Sequence, residues 1–236
     1  MSILVSDLVA SERFYLTVLR ALGIGRDSSG ADFAEWNDFS IAQASDETRV
    51  TRRLHVGFVA PSREHVEEFW RAGIEAGYRD DGPPGPRPQY RHEYYGSFLL
   101  DPDGNSAEAV HHGVLRTGGV IDHLWVRVAD VAAAKGFYEL IAPYAGFHLR
   151  RDLSERAQFA DGPEHRGSFS LVVGEPTLHL GMAFAATSNA IVEEFHRAAV
   201  AGGYRDNDAP GERSGCYAAS VLDPDGNIIE VRHGIS

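Results

Sequence analysis

Two glutamates sit where a carboxylate is costly. Glu108 lies in Ser106-Ala107-Glu108-Ala109-Val110, and Glu230 in Ile228-Ile229-Glu230-Val231, both alternating runs that read as strands. An ionised side chain in such a strand is expensive to bury unless it is paired or bound to a metal. Both follow the same peptide, Asp-Pro-Asp-Gly-Asn, at 101–105 and again at 223–227. That peptide turns for physical reasons: Pro presets φ, Gly takes positive φ, and Asp and Asn side chains bond the nearby backbone. The chemistry first suggested is a carboxylate held in place for an ion or a charged partner.

The elements that must carry these glutamates repeat as well. Segments 100–111 and 222–233 share eight of twelve residues, and 66–80 shares ten of fifteen with 192–206. Phe14-Tyr15 returns as Phe137-Tyr138. Asp7 is a plausible N-cap for a helix over 8–22 that ends at Gly23, and Asp130 for one that ends at Gly146. Further helices are expected from Ser62 to Gly77 and from Val192 to Gly203. Strands are expected at 3–6, as a pair within 33–44, at 53–60, and again at 121–128, within 159–174 and at 178–184. Leu178-His179 aligns with Leu54-His55 at an offset of 124. The Pro/Gly-rich stretch 81–88 reads as a surface loop, and Gly113 to Gly119 as a linker. Two duplicated domains follow, 1–114 and 119–236.

With 236 residues, 43% apolar and 24% charged, the chain can build real cores. A net charge of −12 argues against nucleic acid or an anionic membrane as partner. No run approaches the roughly 18 apolar residues of a membrane span, and the first residues lack a signal-peptide pattern. Cys216 is the one cysteine, which fits a reducing cytoplasm. The expected partner is a small molecule, and a homodimer is admitted.

Each half reads β-α-β-β-β twice over. This order, with Ile121-Asp122-His123, Phe137-Tyr138, Leu178-His179 and the Asp223-Pro224-Asp225-Gly226 turn leading to Glu230, resembles the vicinal oxygen chelate superfamily of glyoxalases, bleomycin-resistance proteins and extradiol dioxygenases. The resemblance covers nearly the whole chain. It implies an α+β fold of two tandem glyoxalase-like modules, each of paired βαβββ units forming a curved eight-stranded mixed sheet. It also implies a ligand set, because His123, His179 and Glu230 fall where the superfamily places its metal ligands. Two imidazoles and a carboxylate would hold one divalent ion (Fe, Mn, Zn or Ni) with positions left open. In the first half His55 and Glu108 match two of the three positions, and the third falls before Met1 in a truncated first strand. That half is therefore expected to hold no metal.

Alternation places other residues on the ligand faces. Trp125 and Arg127 accompany His123, Gly181 and Ala183 accompany His179, and Arg232 flanks Glu230. The guanidinium groups would suit an anionic ligand, and Tyr217 joins the expected substrate contacts. Tyr217 and Glu175 are the candidate bases, with no catalytic residue assigned. Tyr90, His92, Tyr94 and Tyr95 resemble a segment that borders the cavity in single-module relatives. The function implied is a metal-dependent enzyme, a lyase, isomerase or dioxygenase, acting on a small oxygen-rich substrate. Glyoxalase I proper takes a fourth ligand from an acid inside the fourth strand, and Ser168 to Val173 has none. A non-catalytic protein that sequesters a drug and an extradiol dioxygenase remain the alternatives.

Overall fold

The computed structural model describes residues 1–113, 118–161, 168–213 and 215–234. One β-α-β-β-β unit occurs four times among them. Unit one is β1 (Ser2–Val5), α1 (Leu8–Arg20), β2 (Ser28–Ser29), β3 (Phe33–Trp36) and β4 (Phe39–Gln43). Unit two is β5 (His55–Val59), α2 (Arg63–Glu75), β6 (Arg79–Pro86), β7 (Tyr95–Leu100) and β8 (Ser106–His111). Unit three is β9 (Ile121–Val128), α3 (Val131–Ala145), β10 (Phe147–Leu153), β11 (Arg156–Asp161) and β12 (Ser168–Val173). Unit four is β13 (Leu180–Ala185), α4 (Asn189–Ala201), β14 (Asp206–Arg213), β15 (Cys216–Leu222) and β16 (Ile228–His233).

The units form two eight-stranded mixed sheets, but not along the sequence halves. One sheet runs β14-β15-β16-β13-β1-β4-β3-β2, and the other β10-β11-β12-β9-β5-β8-β7-β6. Unit one thus joins unit four, and unit two joins unit three. The halves 1–114 and 119–236 are not the sheet-forming modules; they share helices instead, α1 packing on α2 and α3 on α4. Of the expected linker 113–119, positions 114–117 lie outside the described residues.

The exchange is held at two crossover segments. Arg52 and Leu178 exchange backbone hydrogen bonds of 3.1 Å in each direction. The Thr51 hydroxyl donates to the His179 carbonyl at 2.7 Å, and that of Thr177 donates to the Arg53 carbonyl at 2.9 Å. Arg53 and His179 both take left-handed backbone, with φ of 62° and 58°. Side chains adopt that region at a cost, and here it bends each chain segment out of one sheet into the other.

The repeated turn locks the same region. Asp101 accepts from the backbone of Asp103 and Asn105 and from the buried Tyr15 hydroxyl, and Asn105 accepts from Leu54 N at 3.1 Å. Asp223, Asn227, Tyr138 and Leu180 repeat these bonds. Buried carboxylates are tolerated here because several donors reach each of them. Helices α1 and α3 start as expected, Asp7 accepting from Ala10 N and Asp130 from Ala132 N and Ala133 N, whereas α4 starts three residues before Val192, at Asn189. Residues 81–88 differ from the expectation, since most of them form β6. Among the described residues that strand pairs only with β7, with register shifts at Asp80/Gly82 and Gly82/Gly85, and an edge with bulges is where a sheet accepts proline. No described helix is long and apolar enough to cross a membrane.

Because each sheet draws on both halves, neither half can complete its own hydrogen bonding. A protease site engineered between the halves should, when cut, yield two fragments that still co-elute at the intact mass in gel filtration. Fragments that separate and each remain folded by circular dichroism would contradict the exchanged pairing.

Candidate metal centre

His55 opens β5, the strand between β8 and β9. Its parallel pairing sets His55 beside Ser106 and Gly57 beside Glu108. Its antiparallel pairing sets His55 beside Trp125 and Gly57 beside His123. Glu108 and His123 therefore flank Gly57 on one face, and a side chain at Gly57 has no room: a Cβ there would lie 2.5 Å from His123 Cε1. Gly96 clears the same space on β7, where a Cβ would lie 2.6 Å from Glu108 Oε1. One ligand atom each from His55, Glu108 and His123 lies within 4.8 Å of the others. Glu108 Oε2 is 2.9 Å from His55 Nε2 and 3.3 Å from His123 Nε2.

A second layer orients all three. His55 Nδ1 bonds Ser106 Oγ at 3.2 Å, whose hydroxyl donates to Asp81 at 2.7 Å. His123 Nδ1 bonds Asp122 Oδ1 at 2.9 Å, and His112 Nε2 bonds Asp122 Oδ2 at 2.7 Å. The Tyr94 hydroxyl donates to Glu108 Oε1 at 2.7 Å. Asp122 reaches this side through a bulge. Gly57 pairs with His123 but Phe58 with Ile121, so Asp122 is the extra residue and escapes the alternation.

Burial alone would raise the Glu108 pKa, but hydrogen bonds and charge from His123 and His55 outweigh it and bring it down to about 2. Burial likewise opposes protonation of His123, yet Asp122 and Glu108 carry its pKa up to about 9. Burial first, then the Glu108 charge, pushes the Tyr94 hydroxyl far above its ordinary value. The donor set fits a divalent ion. Two imidazoles turn Nε2 inward with Nδ1 held by an oxygen, the usual second layer of a metal-bound histidine, and one carboxylate oxygen faces both.

Residues 120–231 match the family model of the Glyoxalase/Bleomycin resistance protein/Dioxygenase superfamily. Glyoxalase I from Zea mays has the same fold across the chain, with a TM-score of 0.70 at 18% identity over 98% of this chain and 90% of that one. A putative dioxygenase from Bacillus subtilis subsp. subtilis str. 168 gives a TM-score of 0.66 at 12% identity, covering 100% of this chain and 84% of that one. At these identities the likeness concerns the fold. No curated protein matches the sequence.

In this glyoxalase-like fold the expected ligands His123, His179 and Glu230 do not converge. His123 is in the centre, but His179 and Glu230 are on the other sheet, and the half expected to hold no metal supplies His55 and Glu108. The alignment of His179 with His55 was two residues out. Leu54 and Leu180 each donate to the turn asparagine, so Gly181 stands where His55 stands, and His179 matches Arg53 in the crossover. A two-residue slip keeps every side chain on its face, so alternation cannot expose it. His179, Glu230 and Arg232 line a separate cavity of about 310 Å³ together with Met1. No group of three metal-ligating side chains forms there among the described residues.

Of the expected substrate contacts, Trp125 alone lines the cavity beside the centre. That cavity, also about 310 Å³, includes Tyr90, Tyr94, His112 and His123 in its wall. Arg127 is exposed beside Gly174, and Tyr217 donates to Glu193 at 3.1 Å. Glu175 pairs with Arg53 at 3.1 Å, so neither candidate base reaches the centre.

His55→Ala, Glu108→Ala and His123→Ala should each remove zinc binding, and Asp122→Asn should weaken it about 10- to 100-fold, while His179→Ala leaves it unchanged in calorimetric titration. Proton release gives an independent check. Metal-free His123 is protonated below about 9, so zinc must displace that proton at neutral pH, whereas Glu108 is already ionised above about 2. Affinity should therefore rise with pH up to about 9, and titration in buffers of different ionisation enthalpy should show about one proton released per ion.

Proposed function

We propose that the chain is a metal-dependent enzyme acting on a small oxygen-rich substrate at the His55–Glu108–His123 centre. The observation that carries this reading is the convergence of both Nε2 atoms on Glu108 Oε2 beside a cavity walled by Trp125 and Tyr90. A bound divalent ion supplies Lewis-acid stabilisation of negative charge developing on substrate oxygens. The protein's part is to fix the donors. Asp122 and Ser106 hold His123 and His55 with Nε2 free to coordinate, and Tyr94 occupies Glu108 Oε1 so that Oε2 is the oxygen presented. Trp125 and Tyr90 meet edge to face at 5.5 Å and give a planar substrate an apolar wall.

The donor set favours dioxygenase-type chemistry over that of glyoxalase I. Two histidines and one carboxylate are the set of non-haem Fe(II) oxygenases. The β12 residues that line the cavity are Ser168 and Ser170, not an acid. Protein loaded with cobalt(II) should change its visible absorption when oxalate, a small bidentate oxygen ligand, is added, and His55→Ala should abolish the change. Catechols that carry a carboxylate, and α-oxo acids, should turn over only in metal-loaded protein. Ligand binding that ignores chelator and yields no product would identify a sequestering protein instead.

A further inference from the structure

The same cavity has a second polar end that the metal centre does not use. Arg150, Arg151 and Arg156 line it, with Arg91 from the segment before β7. This concentration of positive charge occurs in a chain of net charge −12. None of the four forms an ion pair among the described residues. A bulge builds the cluster: Leu149 pairs with Phe159 but Arg151 with Gln158, so Arg150 is the extra residue. Adjacent residues on a strand ordinarily point to opposite faces, and the bulge lets Arg150 and Arg151 line one cavity.

Arg156 is the anchor. Its Nη2 donates to Ser170 Oγ at 3.0 Å, and its guanidinium lies 5.2 Å from the centre of the Trp125 ring. Its Nε is buried without a hydrogen-bond partner. Burial, then the neighbouring Arg151, draws its pKa down. A guanidinium fixed by a hydroxyl and an indole is oriented before any ligand arrives, the state that favours paired N–H···O bonds to an oxyanion. Trp125 also stands 5.5 Å from the His55 ring, centre to centre, so one indole neighbours both Arg156 and a histidine of the metal centre.

We infer that the substrate carries a separate anionic group, a carboxylate or a phosphate, bound by Arg156 and Arg151 while its other oxygens face His55, Glu108 and His123. The substrate class is then a small oxygen-rich acid, not a neutral catechol or a cationic drug. The chelating end rests on the proposed function; the arginine subsite does not require it.

Titration of the full chain with inorganic phosphate and with malonate, with zinc bound and after chelation, tests the subsite and separates the two anion types. In the chelated, folded protein one of the two should bind at about one per chain. Arg156→Gln and Arg151→Gln should each weaken it by at least about tenfold, and Arg156→Lys should weaken it less than Arg156→Gln. Arg127→Gln, on an exposed side chain, should change nothing. His123→Ala should abolish zinc binding and spare the anion, so loss of the metal reading would leave this one standing. No saturable binding of either anion to the folded chelated protein, or binding unaffected by both glutamine variants, would overturn the inference.

Discussion

The antiparallel pairing of β5 with β9 is the constraint on which the centre depends. It joins a strand of the first half to a strand of the second and sets Gly57 opposite His123. Shifting that pairing by one residue would turn His123 away from Glu108, because side chains alternate at every step. The reciprocal bonds between segments 51–53 and 177–179 feed each half into both sheets and so keep β5 next to β9. The two Asp-Pro-Asp-Gly-Asn turns then position β5 and β13 through Leu54 and Leu180. Local turn chemistry, crossover and metal centre are thus successive links in one mechanical arrangement.

The electrostatics of the cavity divide it in two. Around Glu108 the charges are nearly all answered: each histidine has an oxygen on its outer nitrogen, and the carboxylate has a tyrosine. Such a buried network is favourable when every member is bonded. At the other end the guanidiniums stand without carboxylates among the described residues. The first arrangement suits a resident ion and the second a transient anion. Trp125 links them, with the His55 ring and the Arg156 guanidinium both close to its indole.

The two sheets share one plan of strands and turn bonds. Glu230 follows the second turn as Glu108 follows the first, but Gly181, not a histidine, occupies the position that matches His55. Among the described residues one sheet thus carries a donor cluster, and the other shares the turn and the fold without one. Tyr15 and Tyr138 bond Asp101 and Asp223 alike, so the shared residues are largely those that hold the scaffold.

Periodicity, caps and the repeated turn made the four β-α-β-β-β units legible in the sequence alone, since these signals are local. Glu108 and Glu230 as strand carboxylates were legible for the same reason, whereas His123, Tyr90 and Tyr94 were singled out by the family resemblance and Trp125 by its alternation with His123. Which units share a sheet was decided only by the tertiary structure, because hydrogen bonding between strands leaves no mark in either strand's own pattern. The candidate donor set went with it: His55 and Glu108 meet His123 across the halves, whereas His179 lies in a crossover that a two-residue alignment slip disguised as a strand. Asp122, Arg150 and Arg151 required the structure too. Each belongs to a bulge or its flank, and an inserted residue redirects side chains in a way that strict alternation cannot anticipate.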